Sequence, residues 1–258
     1  MGPIVEKLSV YRVAVAILFC IHAAYPALGQ GTVRVAVASN FAGVQEALSK
    51  KFSESTGHHV KNSSGSTGKL YAQITNGGPY DIFLSADAEH AELLENSDIG
   101  VKDTRFTYAV GRLALYAPRI SGIAKGADAL SVSAIKHLAV ANPRSAPYGA
   151  AAVATMEHLK IWDTYKDNIV YGENIAQTMQ FVESGGAEAG FVAYSQVVDR
   201  PKDQFWIVPE ALHPALKQDA ILLAAGKDNA AAKAYLLFLQ SEEARKIIAA
   251  SGYSIPKI

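Results

Sequence analysis

Residues 33–57 read VRVAVASNFAGVQEALSKKFSESTG, and this stretch sets the pattern for the chain. Residues 33–38 are mostly apolar and predict a buried strand that ends at Ser39-Asn40. Apolar side chains then recur at helical spacing from Phe41 to Phe52, and Gly57 is the expected stop of that helix. A buried strand followed closely by an amphipathic helix is the repeating unit of α/β proteins.

The same alternation continues along the rest of the chain. Further strands are predicted at 59–63, 81–85, 112–117, 138–141, 168–171, 190–193, 205–208 and 220–224. Further helices are predicted near 70–76, 88–95, 147–159, 174–182, 230–239 and 242–250. Strands alternating with helices predict an α/β fold with mostly parallel sheets. The sequence contains no low-complexity linker, so if there are two lobes, the chain is expected to cross between them on extended strands.

The composition narrows the class of protein. The chain has 258 residues, with 24 basic and 24 acidic side chains and 50% hydrophobic residues. That length suits one large domain or two modest ones, at roughly 100–200 residues each. The zero net charge argues against a strongly basic nucleic-acid binder and against an acidic tail, so no nucleic-acid partner is expected.

Residues 1–29 have the features of a secretory signal peptide. Lys7 and Arg12 precede the apolar run VAVAILFC at 13–20, and small residues precede an expected cleavage after Gly29. A membrane anchor is the alternative, but an anchor needs about 20 apolar residues to span a bilayer. We therefore expect an exported, periplasmic protein.

Cys20 is the only cysteine and lies inside this segment. Its lipidation is a further alternative, which the bulky Phe19 before it disfavours. Removal of residues 1–29 leaves 22 basic and 23 acidic residues over 229 positions and no cysteine. Disulfides and thiol catalysis are therefore excluded for the mature chain.

Four strand-to-helix junctions share one character, because each places a small polar residue, a glycine or a proline where a helix begins. They are Ser39-Asn40, Ser66-Thr67-Gly68, Pro147-Tyr148-Gly149 and Asn174-Ile175. The first N–H groups of a helix have no intrahelical partner, and in open α/β sheets such junctions gather where ligands bind. Together they could form an anion site from neutral donors. The alternative is that all four are ordinary helix caps.

The segment from Ser63 to Leu70 allows rival interpretations. It fails as a phosphate-binding P-loop, because Ser63 stands where glycine is required and Leu70 where serine or threonine is required. Ser66 and Lys69 fit the Ser-x-x-Lys pattern of serine acyl-transfer enzymes, but the companion motifs of those enzymes are missing. A loop that offers hydroxyls and amides to an anion is the third interpretation.

Other chemically active residues give weaker indications. No histidine spacing resembles a metal cluster. Asp81 and Asp87 flank a predicted strand and are expected to stabilise the edge of the sheet. Tyr194 and Trp206 are expected to pack in the core or at a hinge.

Five motifs together resemble the periplasmic molybdate-binding proteins of ATP-driven importers. They are VAVASNF at 35–41, SSGSTGKLYAQI at 63–74, PYDIFLSAD at 79–87, NPRSAPYG at 142–149 and GFVA at 190–193. The resemblance covers essentially the whole mature chain in the same order. It implies a periplasmic-binding-protein fold with two α/β lobes, an oxyanion in the cleft between them, and delivery to a membrane permease driven by a cytoplasmic ATPase.

The resemblance also implies a set of site residues, which contact the oxyanion oxygens rather than a metal directly. They are Ser39 and Asn40, the hydroxyl of Thr67, and the backbone amides of Tyr148 and Ile175. One position departs from the family, in which many members carry a ligand tyrosine directly after Gly-[Phe/Ile]-Val. Here that position is Ala193, and Tyr194 follows one residue later, so Tyr194 is left out of the predicted site.

The ligand predicted on this basis is molybdate, with tungstate bound comparably. Fully deprotonated molybdate has only acceptor oxygens, and none of the four junctions places a carboxylate among its proposed contacts. Sulfate or another oxyanion is the alternative ligand, and a serine hydrolase using Ser66 and Lys69 is the alternative class. We expect a monomeric binding protein without enzymatic activity or cofactor. Its lobes are predicted at residues 30–111 plus 220–258 and at residues 112–219.

Overall fold

The computed structural model of the chain describes residues 30–131 and 134–256, so the predicted signal peptide lies outside the described residues. The strands are β1 (Thr32–Ala38), β2 (His59–Gly65), β3 (Ile82–Leu84), β4 (Phe106–Gly111), β5 (Leu113–Tyr116), β6 (Leu138–Ala141), β7 (Ile169–Gly172), β8 (Ala189–Ala193), β9 (Phe205–Ile207) and β10 (Leu216–Leu222). The helices are α1 (Ala42–Thr56), α2 (Thr67–Thr75), α3 (Glu89–Asn96), α4 (Pro147–His158), α5 (Trp162–Tyr165), α6 (Ile175–Ser184), α7 (Ala230–Leu239) and α8 (Glu242–Ala250).

The strands form two five-stranded sheets with the same plan. The first sheet has the order β2-β1-β3-β10-β4, and the second has the order β7-β6-β8-β5-β9. β10 in the first sheet and β5 in the second pair antiparallel with both neighbours, while the other pairings are parallel. Each sheet therefore has one reversed strand among strands that share a direction, and the predicted α/β fold with mostly parallel sheets is confirmed.

Helices cover both faces of each sheet. In the first sheet, Val33, Val35 and Val37 pack towards α1, α7 and α8, whereas Ala36 packs towards α2 and α3. In the second sheet, one face packs against α4 and α5 and the other against α6. Because a strand covered on both faces has no solvated side, β1 and β6 read as nearly continuous apolar runs. We call each sheet with its helices a lobe.

The chain crosses between the lobes from β4 to β5 and returns from β9 to β10. Only Arg112 separates β4 from β5, so the first crossing is a short extended segment. The predicted lobe boundaries, at 111/112 and 219/220, stay a prediction.

Several element bounds differ from those predicted. β4 and α5 were not predicted, β2 extends to Gly65, and β10 begins at Leu216 rather than at Ala220. Gly57 does end α1, and its φ of 74° is the left-handed conformation that glycine adopts readily.

In the part of the chain that the structure describes, no helix combines the length and apolar character needed to cross a membrane.

Candidate functional site

The carboxyl ends of four strands meet at one cavity. β1, β2, β6 and β7 lead into a short 3₁₀ turn (Ser39–Phe41), α2, α4 and α6 respectively. The cavity is lined by Ala38, Ser39, Asn40, Gly65, Ser66, Thr67, Ala86, Ala146, Pro147, Tyr148 and Ile175. The structure thus brings the five predicted residues together, while their role in binding a ligand stays a prediction.

The lining of the cavity is uncharged, because it contains no Asp, Glu, Lys, Arg or His. Tyr148 is its only titratable residue, and burial raises the pKa of that phenol well above its usual value of about 10. The polarity of the cavity therefore comes from hydroxyls and from the positive ends of helices rather than from ionised side chains.

Two hydroxyls of the first lobe can donate into this cavity. The Oγ1 atom of Thr67 accepts the Ala86 N–H at 3.0 Å, which fixes the oxygen and leaves its own O–H to donate. Ser39 follows β1 directly, is 8% exposed, and its hydroxyl has no hydrogen-bond partner among the described residues. The strand end or helix start that carries each residue places its side chain at the cavity.

The second lobe offers backbone amides instead. The side chain of Asn174 caps α6 by accepting from the amides of Ala176 at 2.9 Å and Gln177 at 3.1 Å. These two bonds do not use the amide of Ile175, which is the first residue of the helix. At the start of α4, Pro147 has no N–H, so the Tyr148 amide is the first donor of that helix.

The side chain of Asn40 points into a buried polar network rather than offering a free amide. Its Nδ2 donates to Gln218 Oε1 at 2.8 Å and to the Tyr253 hydroxyl at 3.0 Å. Its backbone carbonyl accepts from Tyr253 at 2.8 Å and from Ser195 Oγ at 3.1 Å. Asn40 can therefore contribute its backbone N–H to the cavity, while its side chain fixes the loop.

The same network also holds the side-chain hydroxyl of Tyr148. Gln218 Nε2 donates to the Tyr148 hydroxyl at 3.1 Å, and Gln218 Oε1 accepts from the Tyr108 hydroxyl at 3.1 Å. A Cβ at Gly111 would lie 2.1 Å from the Tyr148 hydroxyl oxygen, so only glycine leaves room for this contact. Burial raises the pKa of Tyr253 to about 12, so this phenol also stays neutral near neutral pH.

The lobes also touch each other directly at the cavity. The Gly68 amide donates to the Ser145 carbonyl at 2.9 Å, and Lys69 Nζ lies 3.1 Å from Glu173 Oε2. A Cβ at Gly68 would lie 3.1 Å from the Ser145 Cα atom. The structure is thus a closed arrangement in which α2 lies against the loop that precedes α4.

The family model for bacterial extracellular solute-binding proteins matches residues 33–254. The chain belongs to this family. This solute-binding protein is 41% identical over 240 residues to the molybdate-binding protein ModA of Rhodobacter capsulatus. The alignment covers 93% of the chain and 94% of the relative. It is 43% identical over 226 residues to the molybdate-binding protein ModA of Azotobacter vinelandii, and this alignment covers 86% of the chain and 90% of the relative.

The fold comparison agrees with these relatives. The solved structure of the Azotobacter vinelandii periplasmic molybdate-binding protein superposes on this solute-binding protein with a TM-score of 0.82 and 34% identity, covering 87% of this chain and 100% of that chain. The resemblance to molybdate-binding proteins is confirmed, and so is the periplasmic-binding-protein fold.

The structure gives little support to a hydrolase in this solute-binding protein. A nucleophilic serine needs its base within hydrogen-bond reach. Lys69 is half-exposed and paired with Glu173, and Ser66 Oγ has no hydrogen-bond partner in the described part of the chain, so the two side chains are not joined. Within residues 30–131 and 134–256, no group of three or more His, Cys, Asp or Glu side chains could hold a metal ion.

Tyr194 does not line the cavity of this solute-binding protein. Its ring centroid is 5.8 Å from that of Phe205, and the Arg112 guanidinium lies 4.9 Å from the ring centroid. The next residue, Ser195, makes the contact to Asn40 in the other lobe. Sequence reasoning missed Ser195, Gln218 and Tyr253, since their polar contacts join residues far apart in the chain.

Proposed function

We propose that this solute-binding protein captures molybdate, and tungstate comparably, for delivery to an ATP-driven importer. The observation that carries the proposal is the uncharged cavity at which hydroxyls and helix starts converge. A fully deprotonated dianion has only acceptor oxygens, so a site built only from donors is its chemical complement. The relatives named molybdate-binding proteins, at 41% and 43% identity, support the same ligand. The oxyanion is the cargo and no cofactor is involved.

Two other oxyanions, phosphate and sulfate, are compared with molybdate by their protonation and their size. Monohydrogen phosphate carries a proton that requires an acceptor, and the lining contains no carboxylate. Sulfate is an all-acceptor dianion like molybdate, so its exclusion depends on the dimensions of the cavity. Sulfate is therefore the second candidate ligand.

The proposal includes export and a membrane partner. Residues 1–29 would be cleaved as a signal peptide, and the mature monomer would act in the periplasm without enzymatic activity of its own. The closed lobes would present the loaded form to a permease subunit whose cytoplasmic ATPase drives import. N-terminal sequencing of the exported protein tests the cleavage, with Gln30 as the expected first residue.

A thermal unfolding series against molybdate, tungstate, sulfate and phosphate tests the ligand. An anion at 100 times its dissociation constant adds roughly 2.7 kcal/mol to the free energy of unfolding. We expect clear shifts with molybdate and tungstate, a smaller shift with sulfate, and none with phosphate. A shift with sulfate alone would mean that sulfate, and not molybdate, is the ligand. No shift with any anion, together with hydrolysis of an ester probe, would favour the serine hydrolase.

A further inference from the structure

Ser66 occupies the cap position of α2, yet its hydroxyl does not cap the helix. Its φ of −74° and ψ of 147° are the extended conformation that helix-capping residues adopt. A serine in this position ordinarily accepts a hydrogen bond from the amide of the second or third helical residue. Here no backbone amide donates to Ser66 Oγ.

One of the amides that a cap would use is bonded to the other lobe. Gly68 is the second residue of α2, and its N–H donates to the Ser145 carbonyl at 2.9 Å. Ser66 Oγ is left buried without a hydrogen-bond partner among the described residues, in a residue that is 2% exposed. Such a group is unusual, because the large majority of buried side-chain polar atoms are hydrogen-bonded to protein or to ordered water.

Ser66 also lines the cavity that contains Ser39 and Thr67. We infer that the Ser66 hydroxyl is an additional donor to the bound oxyanion, beyond the five predicted contacts. This inference rests on the proposed oxyanion-binding function. Ser145 Oγ is likewise buried and without a partner, but Ser145 does not line the cavity, so the same reasoning does not extend to it.

The consequence is that α2 contributes two side-chain donors from adjacent positions. Thr67 Oγ1 is held by the Ala86 amide, so the direction of its O–H bond is restricted. The Ser66 hydroxyl has no such restraint and can rotate towards an anion oxygen. In the second lobe, the Ser145 carbonyl accepts the hydrogen bond from the Gly68 N–H. This bond holds α2 against the second lobe and leaves the Ser66 hydroxyl without its ordinary capping bond.

The test compares Ser66→Ala and Ser66→Gly with Ser64→Ala by calorimetric titration with molybdate. Glycine is tolerated at helix caps, so Ser66→Gly removes the hydroxyl with little effect on α2. Both Ser66 variants should bind molybdate at least about 10-fold more weakly, the loss expected for a hydrogen bond to a charged partner. Ser64 is exposed on β2 and serves as the matched control, whose affinity should stay within about two-fold of the parent.

Thermal unfolding without ligand separates ligand contact from helix capping. The ligand-free midpoint should be unchanged in Ser66→Ala, since the hydroxyl has no bond to lose. A lowered midpoint with unchanged affinity would assign Ser66 to capping and overturn the inference. Parent-like affinity in both Ser66 variants would also overturn it, while the proposed function would stand. Failure of the parent protein to bind molybdate or tungstate would instead remove the proposed function itself.

Discussion

In the proposed site, the two lobes offer different kinds of donor to the same cavity. The first lobe would offer hydroxyls on Ser39 and Thr67 beside the backbone N–H of Asn40, whereas the second would offer only backbone amides, those of Tyr148 and Ile175 at the starts of α4 and α6. A hydroxyl donor exists only while the side chain is serine or threonine. An amide donor depends on where the helix begins. The hydroxyl donors of the first lobe should therefore respond to side-chain changes, and the amide donors of the second lobe only to changes of the backbone.

Ile175→Pro should have the largest effect on affinity, because it deletes a backbone donor. Proline is favoured at the first helical position, and Asn174 before it has the extended backbone that proline requires. The helix should therefore start at the same place. We expect molybdate to bind about 100-fold more weakly, as for loss of a hydrogen bond to an anion.

Ile175→Val is the matched control for this substitution, since it keeps the amide and most of the buried side chain. Its affinity should be close to that of the parent protein in calorimetry, and circular dichroism should show the same helix content for both variants. Parent-like binding by the proline variant would mean that the second lobe does not use this amide.

Thr67→Ala and Ser39→Ala should each weaken binding about 10- to 100-fold. The two variants should differ in stability. Thr67 Oγ1 also accepts the buried Ala86 amide, so Thr67→Ala should lower the free energy of unfolding by about 1–3 kcal/mol. Ser39→Ala loses no such bond and should unfold near the parent. Thr67→Ser keeps the hydroxyl and should bind well; if it bound as weakly as alanine, the methyl group rather than the hydroxyl would be the determinant.

Gly68→Ala should act on lobe closure rather than on a donor. The added Cβ would lie 3.1 Å from Ser145 Cα and 3.3 Å from its carbonyl oxygen. We expect about 5-fold weaker binding and, in small-angle scattering with saturating molybdate, a larger radius of gyration than the parent. Gly43 is the matched control, since it is also the second residue of its helix and a Cβ there meets nothing within 4 Å. Equal compaction of both variants would argue against closure through this contact.

Tyr148→Phe should have the smallest effect on affinity, within about three-fold, because the residue contributes its amide. The lost hydroxyl leaves Gln218 Nε2 without its buried acceptor, so the free energy of unfolding should fall by about 1–3 kcal/mol. Chemical denaturation measures the second quantity and calorimetry the first. A binding defect larger than the defect of Ser39→Ala would contradict the distinction between the two lobes.

The fold class and the four junctions that meet at the cavity could be predicted from the sequence because both depend on local patterns. Apolar runs such as residues 33–38 predict strands, and Ser, Thr, Asn and Pro at helix starts mark the junctions. β4 was missed because it meets β5 with only Arg112 between them, so no turn separates the two runs. The reversed direction of β10 was not readable, since an apolar run does not indicate which way its strand points.

The contacts behind the site could not be predicted for a different reason. Asn40 bonds to Gln218 and Tyr253, which are 178 and 213 residues away in the chain. No local pattern encodes a pairing at that separation. The sequence left Ser66 open as a helix cap, a nucleophile or part of an anion loop, because a capping serine and a serine with a free hydroxyl look identical in sequence.

The position of β10 has a consequence for the order in which the two lobes can assemble along the chain. All strands of the second sheet lie between Leu113 and Ile207, so that sheet can form as one uninterrupted stretch. The first sheet stays open between β3 and β4 until β10 arrives, and α7 and α8 then seal it. A chain exported from its N-terminus, as proposed above, would therefore complete the second lobe before the first. Both halves of the proposed site would be in place only after the C-terminal segment has emerged.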